Sequence, residues 1–290
     1  MRMCLFAIAA ALLVCAPTLA GVPTTTPPAA PAATVFAEPK TPSPRPYPLT
    51  TCPIGDHDLR VLEAPVIKID RGREVRFCNT RCARKFANKR NHYWAEIDKK
   101  IASTQRMHYP LTDCIISGDP LLEESKDIAT EIIHDNRLIR LCSETCEETF
   151  RKDPHHHMTA LDRQIADAQR ADYPFTDCII TTMEFGMMGD PVEIVFENRL
   201  VRLCCEGCII IFHANPQEYM AKIDAAYADA QREHYPLTEC VVSGMELGSM
   251  GKPAELVAGT TLVRFCCEGC FGEFRDNPAP YLAQLQREDE

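Results

Sequence analysis

Positive charge is in short supply in this 290-residue sequence: 31 lysines and arginines stand against 41 aspartates and glutamates, a net charge of −10. Phosphates would be repelled over most of such a surface, which argues against nucleic acid or anionic lipid as the main partner. Long apolar runs are missing as well. Beyond the N-terminus no stretch is long enough to form a transmembrane helix. The chain also lacks a Ser/His/Asp set, a pair of carboxylates placed for acid–base work and a phosphate-cradling loop. The expectation is that it is not an enzyme. Hydrophobic residues at 46% and charged residues at 25% are ordinary for a globular protein, so the body should fold.

The first 20 residues read as a secretory signal. Arg2 supplies positive charge, Leu5 to Val14 is an apolar core too short to span a bilayer, and Thr18-Leu19-Ala20 offers small residues before a cut. Export across the cytoplasmic membrane, to the periplasm, is the expectation. Cys15 raises lipid attachment as the alternative, which the bulky Val14 before it disfavours. Residues 21–46 are rich in Pro, Ala and Thr, cannot bury a core, and are expected to form a disordered, extended tether.

What the chain does have is a fourfold repeat. Copies open at Tyr47-Pro48, Tyr109-Pro110, Tyr173-Pro174 and Tyr235-Pro236, with starts 62, 64 and 62 residues apart. The copies are therefore placed at 47–108, 109–172, 173–234 and 235–290. In each, a cysteine follows the tyrosine by five residues, a second comes 26, 28, 26 and 26 residues later, and a third always four after that. Spacing kept while the surrounding sequence drifts points to geometry rather than composition.

Within copy three the pattern predicts a strand at Val192 to Phe196, a turn at Glu197-Asn198-Arg199 and a return strand at Leu200 to Leu203. A short helix is expected from about Cys208 to His213, broken at Asn215-Pro216, with a longer helix from Pro216. On that helix Tyr219, Met220, Ile223, Ala226, Tyr227 and Ala230 recur at helical spacing as one apolar stripe for the core. Copy one has Arg90 in place of the proline, so its two helices are expected to fuse. The predicted fold class is α+β, as tandem small hairpin-plus-helix units. A unit of about 60 residues buries little and often needs a metal or disulfide staple.

Sixteen cysteines, fourteen of them beyond residue 20, are the residues to explain. A thiol at a strand end and another four residues on, one helical turn away, face one point, and the upstream thiol can fold back to it. Thiolates so placed suit Zn²⁺, Cu⁺ and other soft ions, and three ligands leave a fourth position open for exchange. Cys205 and Cys267 are additional thiols in copies three and four, either a fourth ligand or a spare. Disulfides are the alternative, but three cysteines per copy leave one over in copies one and two unless copies cross-link. Thiol redox chemistry is the third reading, from Cys205-Glu206-Gly207-Cys208 and Cys267-Glu268-Gly269-Cys270.

Lesser candidates are the thioethers Met183, Met187, Met188, Met245 and Met250, which either pack or assist Cu⁺. His155-His156-His157 is either a surface metal site or an exposed turn. The basic run from Arg71 to Arg90 around the copy-one thiols either favours thiolate, docks an acidic partner or is a solvated face.

Cys, roughly two dozen residues, then Cys-x-x-x-Cys with Phe after it and Pro and Tyr beyond, resembles the TRASH and YHS heavy-metal-binding modules. These are a small zinc-finger-like class of treble-clef character. The resemblance covers Tyr47 to about Tyr281 and is best in copies three and four, the fourth carrying Ser243-Gly244, Met250-Gly251, Asn277-Pro278 and Tyr281. Copy two departs with His157 at the Tyr position, and copy one lacks the Pro. In that family the three cysteines are the proposed ligands. Carried over, they are Cys52, Cys78 and Cys82; Cys114, Cys142 and Cys146; Cys178, Cys204 and Cys208; and Cys240, Cys266 and Cys270. The reading is an exported array that sequesters a soft transition metal, Zn²⁺ or Cu⁺, or hands it to a transporter or another exported protein. The alternative is a repeat protein stapled by disulfides or zinc for structural or interaction purposes.

Overall fold

Two-residue turns set the architecture. The computed structural model describes residues 44–123 and 126–287, so the expected signal segment and most of the expected tether lie outside the described residues. In copy one, β1 (Val66–Asp70) and β2 (Arg73–Phe77) pair as an antiparallel hairpin, followed by α1 (Thr80–Asn88) and α2 (Arg90–Arg106). Copy two inserts a small pair, β3 (Leu122–Glu123) and β4 (Lys126–Asp127), before β5 (Thr130–His134), β6 (Arg137–Leu141), α3 (Glu144–Lys152) and α4 (Pro154–Gln169). Copy three runs β7 (Val192–Phe196), β8 (Arg199–Leu203), α5 (Gly207–Ala214) and α6 (Pro216–Arg232). Copy four runs β9 (Ala254–Ala258), β10 (Thr261–Phe265), a 3₁₀ turn at Glu268–Cys270, α7 (Phe271–Asp276) and α8 (Ala279–Arg287). Among the described residues the sheets are five two-stranded hairpins, and the class is mixed α and β as the sequence implies.

The main hairpins of copies one to three reverse through residues with positive φ, namely Arg71 and Gly72, Asp135 and Asn136, and Glu197 and Asn198. Both central residues in the left-handed region make the tight turn that matches strand twist, which is why Asn and Gly stand there. Arg199, placed in the turn by the sequence pattern, instead opens β8, because two residues suffice for the reversal. Its guanidinium then lies 2.5 Å from Asp224 on α6, the same link that ties Arg73 to Asp98 at 2.5 Å and Arg137 to Asp162.

The expected fusion of helices in copy one does not occur. Lys89 has φ −138° and ψ 44°, outside the helical region, and its N–H bonds Phe86 O at 3.1 Å. Asp153, Asn215 and Asn277 take nearly the same conformation at the corresponding breaks. Proline follows the break in copies two to four but does not make it. Packing does: Phe86 from α1 and Trp94 from α2 must both reach the core, and their rings meet edge-on at 5.5 Å. On α6 the apolar stripe buries Met220, Ile223 and Tyr227, with Ala228 in place of the predicted Ala230, which is exposed.

Each long helix also packs on the hairpin of the next copy: α2 on β5 and β6, α4 on β7 and β8, α6 on β9 and β10. One glutamine makes each joint. Gln105 Nε2 donates to Asn136 O at 3.1 Å while its Oε1 accepts from Leu138 N at 2.9 Å. Gln231 does the same with Thr260 O and Leu262 N, at 2.7 and 2.8 Å. Beside each glutamine an arginine joins a carboxylate on the next hairpin: Arg106 with Glu131, Arg170 with Glu193, Arg232 with Glu255. The copies are thus one packed array rather than separate beads. Arg45, just ahead of copy one, is tied into it as well. Arg45 donates through Nη1 to Val195 O at 2.9 Å and through its backbone N–H to Asp135 Oδ1 at 3.2 Å.

Candidate metal centres

The first thiol of each copy sits on a knuckle with fixed geometry. The cysteine N–H donates to the carbonyl five residues on: Cys52 to His57, Cys114 to Asp119, Cys178 to Met183 and Cys240 to Met245, at 2.7–2.9 Å. The residue just before that acceptor closes the turn back to the cysteine carbonyl, and it has positive φ in all four copies: Asp56, Gly118, Thr182 and Gly244. Glycine meets this demand without strain in two copies; Asp56 and Thr182 accept it. The turn reverses the chain so that the first sulfur faces the hairpin end.

The second thiol ends the return strand and the third lies at the start of the short helix. Asn79 and Ser143 cap α1 and α3 by accepting from Cys82 N and Cys146 N, at 3.0 and 3.3 Å. Capping fixes the helix start and with it the third sulfur. Below it, Phe86, Phe150, Phe212 and Phe274 are buried and close the site from the core side.

In every copy the three sulfurs lie within 4.8 Å of one another: Cys52, Cys78 and Cys82; Cys114, Cys142 and Cys146; Cys178, Cys204 and Cys208; Cys240, Cys266 and Cys270. Individual Sγ–Sγ distances are 3.7 Å for Cys78–Cys82, 3.6 Å for Cys142–Cys146, 3.6 Å for Cys204–Cys208 and 3.8 Å for Cys266–Cys270. The loop sulfur of copy three, Cys178, is 3.9 Å from Cys208. A tetrahedral ion with Zn–S bonds of about 2.3 Å sets its sulfurs about 3.8 Å apart, a spacing that these five pairs match. A disulfide needs about 2.05 Å. All fourteen cysteines in the described residues are unbridged, both C-x-x-C pairs included. Copies one and two bring their thiols within the same distance as the other two, despite lacking parts of the motif.

Electrostatics splits each triad. Burial pushes the Cys178 thiol up, but the N–H of Cys204 and the hydroxyl and N–H of Thr181 outweigh it and lower it to about 7. Cys114 is lowered to about 7 and Cys240 to about 6 by the same contest between burial and surrounding donors. Burial and then the neighbouring thiols push Cys78 and Cys270 the other way, to about 12. In copies two to four the loop sulfur is the one closest to ionising near neutral pH, whereas Cys78 and Cys270 lose their protons when a cation offsets the crowding.

Around the triads the structure adds residues that spacing alone did not single out. Ser117, Thr181 and Ser243, each three after the first cysteine, put a hydroxyl 3.2, 3.3 and 3.3 Å from the second cysteine's sulfur. Copy one has Gly55 there. In its place His57 Nδ1 is 3.7 Å from Cys78 Sγ, and Asp119 of copy two is 3.6 Å from Cys142 Sγ. The available signal was the fixed offset from the first cysteine. Cys205 and Cys267 stand at the position of the capping Asn79 and Ser143. Cys205 Sγ is 4.0 Å from Cys204 and 3.8 Å from Cys208, yet it lies outside the mutually close set. The Cys208 N–H and the neighbouring thiols lower its pKa.

The lesser candidates separate. His155 and His156 are exposed at the start of α4 and His157 stacks on Phe150, with none in a mutually close ligand group among the described residues. Met187, Met188, Met245 and Met250 are exposed, so packing is not their role, whereas Met183 packs against the copy-three core. In the basic run Arg73 pairs with Asp98 and Arg76 with Glu74, carboxylates rather than thiols. Fold and sites together define a tandem array of cysteine-triad modules. No family model, curated protein or solved structure matches the chain.

Proposed function

We propose that this chain is an exported metal-binding repeat protein that sequesters a soft transition metal, Zn²⁺ or Cu⁺, in three-cysteine sites and passes it on by ligand exchange. The observation that carries the reading is sulfur spacing: four triads hold their thiols within 4.8 Å without a bond between them. Sulfur-only sets select soft ions over Ca²⁺ or Mg²⁺, and three ligands leave room for an incoming one. The resemblance to TRASH and YHS modules points the same way. Export rests on the signal-like residues 1–20 and makes a metal transporter or another exported protein the natural acceptor.

Elemental analysis of protein purified without oxygen tests it. Two to four equivalents of zinc or copper are expected, and serine at both Cys204 and Cys208 should remove one. An unchanged metal count in that variant would defeat the assignment. Permanent structural zinc is a second reading, favoured by the way each triad ties loop, hairpin and helix of a small core. Chelation that melts the chain cooperatively would support it over exchange.

A further inference from the structure

Copy one differs from the others where ligand number is decided. Ser117, Thr181 and Ser243 turn a hydroxyl onto the second cysteine, and Gly55 has no side chain to do so. The space is not idle. A Cβ built on Gly55 would stand 2.8 Å from His57 Nδ1, 3.1 Å from Cys78 Sγ and 3.4 Å from Cys82 Sγ. Real Cβ atoms essentially never come as near as that first contact, so the imidazole can hold this position only because residue 55 is glycine. The Gly55 N–H also approaches Cys52 Sγ, at 3.4 Å. The glycine backbone is therefore surrounded by all three thiols and one ring nitrogen.

We propose that His57 is the fourth ligand of copy one, making a closed Cys₃His zinc site from Cys52, Cys78, Cys82 and His57 Nδ1. This rests on the reading of the triads as metal sites. In a tetrahedral site with Zn–N of about 2.05 Å and Zn–S of about 2.3 Å, sulfur and nitrogen stand about 3.6 Å apart. His57 Nδ1 is 3.7 Å from Cys78 Sγ but stands outside the set of three sulfurs that lie within 4.8 Å of one another, so ligation requires the ring to swing in toward Cys52 and Cys82. The knuckle aims the residue: its carbonyl is held by Cys52 N at 2.9 Å, leaving the side chain beside the triad. The ring is exposed, so it can settle onto an ion without disturbing the core. Ligation through Nδ1 leaves the proton on Nε2.

The same register holds other chemistry elsewhere. Copy two has Asp119, whose carboxylate is 3.6 Å from Cys142 Sγ, but there the Ser117 hydroxyl stands closer, at 3.2 Å. Copies three and four have Met183 and Met245, soft thioethers. Copy one would hold its ion in a closed nitrogen–sulfur set while the others keep three thiolates. The sites of one chain then divide the work, with retention in the first and exchange in the rest.

Nitrogen NMR of the full chain, labelled with ¹⁵N-histidine and titrated with zinc alone, tests this. One imidazole should move to the Nδ1-bound, Nε2-protonated pattern. It should be lost in His57→Gln and in Gly55→Ser, which installs the residue of copies two and four. Competition with a chelator should show one zinc site weakened at least about 100-fold in His57→Gln, since even partners one shell out typically contribute 10–100-fold. Zinc bound to the thiols with no imidazole response would overturn the inference and leave the metal reading standing. A response that survives both substitutions would overturn it as well. No zinc bound at all would remove both.

Discussion

The side-chain amide of Gln169 clasps Leu200 of the following copy: its Oε1 accepts from Leu200 N at 2.8 Å, and its Nε2 donates to Asn198 O at 3.2 Å. Both backbone groups belong to a hairpin end that the helix covers, so neither has water as a substitute. Gln169→Ala leaves them without partners. At about 1–3 kcal/mol for each buried group left unsatisfied, the expected loss for the two is about 2–6 kcal/mol. Urea unfolding of wild type and variant at equal metal content measures it.

Arg45 makes a second test of the array, from outside the copies. Its guanidinium and N–H reach Asp135, Asp162 and Val195 O across copies two and three. Arg45→Ala is expected to cost about 1.5–3 kcal/mol, the usual range for hydrogen bonds to charged groups. Part of the loss should fade in high salt, which screens the half-exposed carboxylates. Unfolding curves at low and high salt measure both parts.

His108 gives the pH dependence. It is buried, its Nδ1 accepts from Gly259 N at 3.2 Å, and burial, then the charges of Arg199 and Arg275, hold its pKa well below the ordinary value. A folded-state pKa below the unfolded one contributes stability that is present above about pH 6.5 and lost as pH falls through the native value. Unfolding free energy should drop by up to about 1.4 kcal/mol per pH unit below that point. In His108→Asn, which keeps an acceptor for Gly259 N, the dependence should flatten. Denaturation at a series of pH values in both proteins decides it.

Ser243 should control the ionisation of metal-free copy four. Burial raises the Cys240 thiol, but the Ser243 hydroxyl leads the groups that lower it to about 6. Ser243→Ala is expected to move that titration upward, read from ultraviolet thiolate absorbance of the chelated protein. Metal uptake at mildly acidic pH should weaken with it, because protons then compete better.

The triads were legible because Cys52, Cys78, Cys82 and their counterparts keep one spacing through four copies, and spacing is what geometry leaves in a sequence. The hairpins were legible from alternation and from Asn198, apart from the single residue by which Arg199 shifted. The break at Lys89 was not: nothing local forbids a helix there, and only the shared core of Phe86 and Trp94 imposes it. His57 escaped because its counterparts are Asp, Met and Met, so no residue type recurs in all four copies. Only the knuckle shows that they share a position. Gln105, Gln169 and Gln231 recur, yet a glutamine at a helix end looks like an ordinary solvent-facing residue until the neighbouring hairpin is in place.

That clasp changes where the chain can be cut. Excision at a Tyr-Pro boundary would part each glutamine from the strand it serves, exposing a helix flank at one end and a bare hairpin at the other. The smallest piece with a complete seam is a long helix together with the hairpin that follows it, a unit offset by half a period from the one the cysteines spell. Fragments trimmed to the metal motif would therefore misreport the affinity of the intact sites, while fragments that run from a long helix through the next hairpin and on through its short helix, which carries the third thiol, would keep a centre in its native setting.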